Sequence, residues 1–170
     1  NVTALTDDLE KDGLVLRAGH RGTTVTPLDP EQADEILALR RRLETRGALR
    51  AAPAVPAEAL AQLCRLQDQM DAAARAGDEY GLILLDTDFH AAIFRLSGLG
   101  ALEQILMRCI LHSHRQKLWE PRHRRPLRQT AARHRVLLER LEAHDGEGLA
   151  VALGHHIDTI VEVGAERAAS

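Results

Sequence analysis

The sequence predicts a mainly α chain, a bundle of about six helices preceded by a short segment built around a β-hairpin. Three observations carry this reading. Alanine and leucine are abundant, and both are strong helix formers. Aromatic residues amount to 2%, namely Tyr80, Phe89, Phe94 and Trp119, whereas sheet-rich folds lean on aromatic and β-branched side chains. From residue 30 onward the apolar residues recur only at helical spacing. A length of 170 residues suits one ordinary domain plus a small appendage.

Residues 2–12 read as a short helix that stops at Gly13, a natural residue just past a helix end. Leu14-Val15-Leu16 and Thr23-Thr24-Val25 are strand-like and are separated by Gly19, His20, Arg21 and Gly22, a hairpin signal with a glycine-rich tip. This opening stretch, residues 1–28, has the pattern of a partial winged helix, and residues 29–170 form the second unit. Asp29 is a good N-cap and Pro30 a good first helical residue for a helix over 30–51, whose apolar side is marked by Ala33, Ile36, Leu37, Leu43 and Leu49. Pro53 and Pro56 break it. A helix over 57–76 carries Leu60, Leu63, Cys64, Leu66, Gln67 and Met70, and stops at Gly77. Further helices are expected over 78–97, closed by Ser97-Gly98, over 100–119, before Pro121, over 125–143 and over 146–168. That is chain enough for a helical core of its own.

Composition excludes several roles. The formal net charge is −3 and the pI is near 6.3, so there is no whole-molecule basic footprint for nucleic acid. Scarce aromatics exclude single-strand readers built on stacking platforms. Basic residues do crowd between Arg115 and Arg135, including Lys117, Arg122, Arg124, Arg125, Arg128 and Arg133, which suits either a solvated face or a polyanion site. Lys11 and Lys117 are the only lysines, against twenty arginines. Cys64 and Cys109 sit far apart in apolar helical patterns with no C-x-x-C, as buried free thiols of a reducing cytoplasm do. No leader is visible, and no apolar run reaches the roughly 18 residues of a membrane span. A cytoplasmic location is expected.

The nine histidines carry the chemistry. Asp86 and His90 are four apart and share a helix face with Leu82, Phe89 and Ile93. His134 falls on the face of Thr130, Leu137, Leu138 and Leu141, and His156 on that of Leu149, Leu153, Ile160 and Val163. A buried carboxylate or imidazole is costly unless it is paired or metal-bound. A single inward histidine is ordinarily a hydrogen-bonded core residue. Three of them with an aspartate, two of the four at a chelating i, i+4 spacing, suit a divalent metal equally well. Zinc, nickel, manganese and iron all accept this donor set. His155 is expected at the surface, and His112 is the member of the His112/His114 pair that approaches the interior. No metal role is expected for these or for His20, His123 and His144.

Several motifs resemble those of a known family. Asp86-Thr87-Asp88-Phe89-His90 resembles the D-x-x-F-H motif of the FCD ligand-binding domain, the C-terminal half of FadR-type regulators in the GntR family. His134 before Val136-Leu137-Leu138, His156-Ile157 downstream of Asp145, and Arg40 with Leu43-Glu44 are similar to its other motifs, in order, across residues 30–168. The resemblance implies an antiparallel helical bundle. It implies that Asp86, His90, His134 and His156 bind a divalent metal, zinc first, with nickel, manganese or iron as alternatives. It also implies open coordination positions facing a cavity for a small organic acid, with Arg40 as a carboxylate partner through its fork geometry. A structural ion pair is the competing role for Arg40.

Residues 2–15 are similar to a recognition helix running into a wing strand, and His20-Arg21-Gly22 resembles the wing tip. Thr3, His20 and Arg21 are the expected DNA contacts. Thr3, Asp7 and Asp8 stand where the family has arginines, and Leu99 stands where it commonly has asparagine. The chain starts at Asn1 and lacks the helices that precede a recognition helix, so upstream residues are expected in the natural protein. The function implied is a metabolite-responsive transcription regulator, not an enzyme, that acts as a homodimer on operator DNA. Two alternatives are a metal-dependent hydrolase-like helical enzyme, for which no general base is evident, and a structural helical module with a hairpin for protein contacts.

Overall fold

A computed structural model describes residues 7, 9–11, 13–19, 22–26, 29–119 and 125–160. Residues 7 and 9–11 are helical, and Gly13 follows at φ +71°, a left-handed backbone that favours glycine. Strands β1 (Val15–Arg17) and β2 (Thr23–Val25) pair antiparallel, with Val15 opposite Val25 and Arg17 opposite Thr23. Leu16 and Val25 are more than half exposed, so the hairpin has no core of its own. Ties outside the ladder hold it. Arg17 pairs with Asp7 at 2.7 Å, and Arg115 reaches over from the bundle to donate to Thr26 Oγ1 at 3.1 Å and to the Gly13 carbonyl at 3.4 Å.

Seven α-helices follow among the described residues: α1 (Pro30–Ala51), α2 (Ala57–Ala76), α3 (Glu79–Arg95), α4 (Glu103–Trp119), α5 (Leu127–Ala132), α6 (Arg135–Glu142) and α7 (Gly146–Asp158). Short 3₁₀ turns at Ala52–Ala54 and Gly100–Leu102 precede α2 and α4. Aspartates cap three of the starts. Asp29 accepts from the Glu31 amide, Asp78 from Gly81 and Asp145 from Gly148, each near 2.8–2.9 Å.

Helix α1 lies at the centre, packed on α7, α4 and α3, while α2 packs on α3, α5 and α6. Its buried face is Ala33, Arg40, Glu44, Gly47, Ala48 and Ala51. The leucines expected to mark that face are only half-buried: Leu37, Leu43 and Leu49, with Ile36, flank it. The reason is close approach. A Cβ on Gly47 would stand 2.7 Å from Phe94 Cδ2, so small residues form the seam and larger ones are displaced to its edges. The main apolar core gathers Leu63, Met70, Leu82, Phe89, Leu137, Leu141, Leu149 and Leu153. A smaller cluster holds Phe94, Leu106 and Ile110.

Two helices end differently from expectation. The single helix expected over 125–143 is broken at Arg133 and His134. There the His134 amide reaches only the Ala131 carbonyl, at 3.3 Å, and the Leu137 amide takes the His134 carbonyl at 3.0 Å, both three-residue spacings. Arg133 is drawn sideways to the His156 carbonyl at 2.7 Å and to the carbonyl and hydroxyl of Thr159. The helix expected over 146–168 ends at Asp158. Arg125 and Arg133 both donate to the Thr159 carbonyl, so guanidinium groups satisfy carbonyls that another helical turn would otherwise take. Val163 lies outside the described residues, as do Thr3, His20, Arg21 and His123.

Candidate metal centre

Asp86 and His90 project from α3, His134 from the α5–α6 break, and His156 from the last turn of α7. All four are buried, and one donor atom from each lies within 4.8 Å of the others. Two donors about 2.1 Å from a common ion are at most about 4.2 Å apart. The longest separation in the set must therefore shorten by at least about 0.6 Å for all four to reach one ion. The rings pack edge to face, with His134 and His156 centroids 4.6 Å apart and Phe89 against the edge of His134 at 5.1 Å. The helix break matters here. It lets His134 Nδ1 face the Ala131 carbonyl at 3.2 Å, while Nε2 turns to Asp86 Oδ1 at 2.9 Å.

The donors are unfinished as hydrogen-bonding groups. His90 Nε2, His134 Nε2 and His156 Nδ1, and His114 Nε2 beside them, are buried without an aligned hydrogen-bond partner. Each such atom ordinarily costs about 1–3 kcal/mol. Three of them converging on one carboxylate form the donor set that a divalent ion would satisfy, so the residues fit a metal. Burial pushes the His156 imidazole well below its ordinary pKa, and the nearby charges of His134, His90 and Arg133 add to this. It is therefore neutral near pH 7, with a lone pair to give. Burial alone would raise the Asp86 carboxyl, but the His114 and His134 nitrogens beside it, with the charge of His90, hold it well below the usual carboxylate range.

Sequence reasoning missed two members of this site. Glu44 on α1 accepts from His90 Nδ1 at 2.5 Å and from Arg40 Nε at 2.6 Å. It fixes the His90 tautomer with the proton on Nδ1 and Nε2 aimed at the cluster, as an outer carboxylate does around a metal-bound histidine. Burial would raise Glu44, but the charges of His90 and Arg40 and their hydrogen bonds outweigh it and hold the carboxyl at about 2. The Glu44 signal lay in plain view as part of Arg40-x-x-Leu43-Glu44. The second member is His114, whose Nε2 lies 3.2 Å from Asp86 Oδ2. His114 is buried and His112 only half-buried, so the expectation that His112 is the inward one is corrected. The two residues are two positions apart on α4 and face different ways, and the packing of α4 on α1 and α3 selects His114.

Arg40 is 1% exposed. It makes the structural pair with Glu44 through Nε and keeps Nη1 and Nη2 buried without partners. It lines an open cavity of about 310 Å³, mouth included, together with Asp86, His114, Lys117, Thr130, Arg133, His156 and Ile160. Among the remaining histidines, His155 is exposed and His144 faces the Ala52 carbonyl at 3.0 Å, so neither joins the cluster.

The comparisons with known proteins agree with this geometry. The FCD domain family model matches residues 35–159. No curated protein sequence matches. Among solved structures, E. coli McbR/YncC superposes with a TM-score of 0.79 at 23% identity, covering 91% of this chain and 74% of that one. A GntR transcriptional regulator from Rhodococcus sp. RHA1 gives 0.74 at 22% identity, covering 93% and 75%. Streptococcus agalactiae GntR gives 0.65 at 19% identity, covering 91% and 77%. At these identities the likeness concerns the fold. The family match spans most of the chain and contains the four converging residues, and the chain belongs to the FCD domain family.

Proposed function

We propose that this chain is the effector-binding part, with a piece of the DNA-binding part, of a metabolite-responsive transcription regulator. Asp86, His90, His134 and His156 hold a divalent metal, zinc first, and the adjoining cavity takes a small organic acid. The observation that carries this is the convergence of three buried imidazole nitrogens without aligned hydrogen-bond partners on one carboxylate, beside an arginine with two unpartnered nitrogens. When bound, the ion supplies a Lewis-acid anchor for a ligand oxygen. The chain's own residues do the rest. Glu44 sets the His90 tautomer, His114 steadies the second oxygen of Asp86, and Arg40 offers Nη1 and Nη2 to a carboxylate in a fork.

The lining favours binding over catalysis. Among the described lining residues Asp86 is the only carboxylate and belongs to the metal set, and the one other base there, His114, already lies 3.2 Å from Asp86 Oδ2 through its Nε2. The similarity in fold to GntR regulators supports operator DNA as the partner, with Thr3, His20 and Arg21 as contacts, homodimers as the working form and a cytoplasmic location. Among the described residues no helix is long and apolar enough to cross a membrane. Effector coupling to operator affinity is expected at about 1–3 kcal/mol. Metal analysis of protein purified without chelator tests the reading. One equivalent of metal, absent from Asp86→Ala, is the expected result. No metal, together with no change in stability on adding EDTA, would overturn it.

A further inference from the structure

Gln67 is out of place on α2. The buried face of that helix is otherwise apolar, made of Leu63, Met70 and Ala74. Gln67 is 5% exposed, and its Oε1 is buried with no hydrogen-bond partner. An unpartnered buried amide oxygen is destabilising, and a leucine or methionine there would avoid it. The other end of the amide is fully used. Nε2 donates to the Ala131 carbonyl at 3.1 Å and to Asp71 Oδ1 at 3.3 Å. The Ala131 carbonyl does not need this donor to be satisfied, because the His134 amide reaches it at 3.3 Å. It is, however, the oxygen that His134 Nδ1 faces at 3.2 Å. A carbonyl only accepts, so this contact keeps a proton on Nδ1 and leaves Nε2 for the cluster.

The chain around His134 is gripped from both sides. On the α7 side, Arg133 donates to the carbonyls of His156 and Thr159. On the α2 side, Gln67 holds Ala131, and Asp71, four residues on, accepts from Arg135 at 2.7 Å. The two α2 contacts bracket His134 in sequence. The Asp71–Arg135 pair sits at the rim, with the arginine side chain 59% exposed, and ion pairs of that kind contribute little. The buried Gln67 bond is the firmer of the two.

We propose that Gln67 is a positioning residue for the metal centre. It fixes the Ala131 carbonyl, through that oxygen the tautomer and ring orientation of His134, and so the aim of Nε2. This rests on the metal reading above and deepens it, in the way that groups behind a metal-bound histidine tune its hold on the ion.

The test pairs zinc affinity, read by competition with a chelator, with urea melts in EDTA. Gln67→Met keeps the bulk of the side chain and removes the donor. Its zinc affinity is expected to fall about tenfold, while its urea midpoint in EDTA stays level or rises. A merely structural glutamine gives the reverse, a lower midpoint with unchanged zinc affinity, and that result overturns the proposal. In the zinc-loaded protein, nitrogen-15 NMR should show the His134 Nδ1 proton protected from exchange with water, and Gln67→Met should lose that protection. Should Gln67→Met fail to fold, Asp71→Ala replaces it, because it frees one of the two bonds that orient the amide. Zinc affinity about threefold weaker is then expected, and unchanged affinity overturns the proposal. If the wild type itself binds no zinc, the metal reading has failed and takes this one with it. Zinc bound equally well by wild type and variants sinks this proposal alone.

Discussion

The apolar core and the histidine cluster are built from the same helices and are finished to different degrees. Helix α3 supplies Leu82, Phe89 and Ile93 to the first and Asp86 and His90 to the second, a few residues apart on one rod. On the core side, Leu137, Leu141, Leu149 and Leu153 belong to one cluster with Leu82, Phe89 and Ile93 and keep no exposed surface. Nothing further is needed there. On the cluster side, every residue is buried too, yet ring nitrogens and guanidinium groups are left without aligned partners. Burial is common to both regions, so burial alone does not separate structure from function. Satisfaction does. A core that is closed in both senses holds the fold, whereas one that is sterically closed and chemically open waits for a ligand.

That contrast can be broken by mutation, and the largest expected effect is on the closed side. Leu141→Ala removes a fully buried side chain and should lower stability by about 2–5 kcal/mol in urea melts. The loss should be the same in zinc and in EDTA, because the Leu141 side chain belongs to the apolar core and not to the cluster. On the open side the ion itself should be the stabiliser. Zinc at roughly a hundredfold excess over its Kd is expected to add about 2.7 kcal/mol, reversed by EDTA. Asp86→Ala should remove that increment. If Asp86→Ala in EDTA costs as much as Leu141→Ala, the cluster is ordinary core and the contrast is lost.

Smaller effects sharpen the same boundary. Glu44→Gln keeps the shape of the side chain but weakens its hold on His90 and Arg40, and should reduce zinc affinity about 10- to 100-fold. Equilibrium competition with a chelator reads this directly. Unchanged affinity would make Glu44 a counter-ion to Arg40 and nothing more. Asp145→Ala sits far from either question and calibrates them. Loss of its bond to the Gly148 amide should cost about 1 kcal/mol with no change in zinc binding.

Much of this was legible in the sequence because it depends on local rules. Asp29-Pro30, Gly77 and the Ser97-Gly98 step mark helix ends by their own backbone preferences, and the structure ends helices close to them. The i, i+4 spacing of Asp86 and His90 needs no knowledge of neighbours to place both on one face. What failed to show depends on partners far along the chain. The break at Arg133-His134 carries no glycine or proline, and Ala131, Leu137, Leu138 and Leu141 are buried as an unbroken helix would bury them. The contacts that accompany it join Arg133 to the His156 and Thr159 carbonyls, 23 and 26 residues along the chain. Glu44 four residues after Arg40 looks like any helical ion pair until His90 arrives from another helix. The inward face of α1 was misjudged because its leucines outbid small residues in any hydrophobic count, while the seam against Phe94 leaves no room for a side chain at Gly47 and Arg40 and Glu44 take much of the rest of the face.

His114 and Arg115 are neighbours on α4, and they make contacts in two different parts of the chain. One stands beside Asp86 in the cluster, and the other donates to Gly13 and Thr26 at the base of the hairpin. A helix is stiff about its own axis, so α4 is a crank with a pin on each side. No turn of that crank shifts one pin and spares the other.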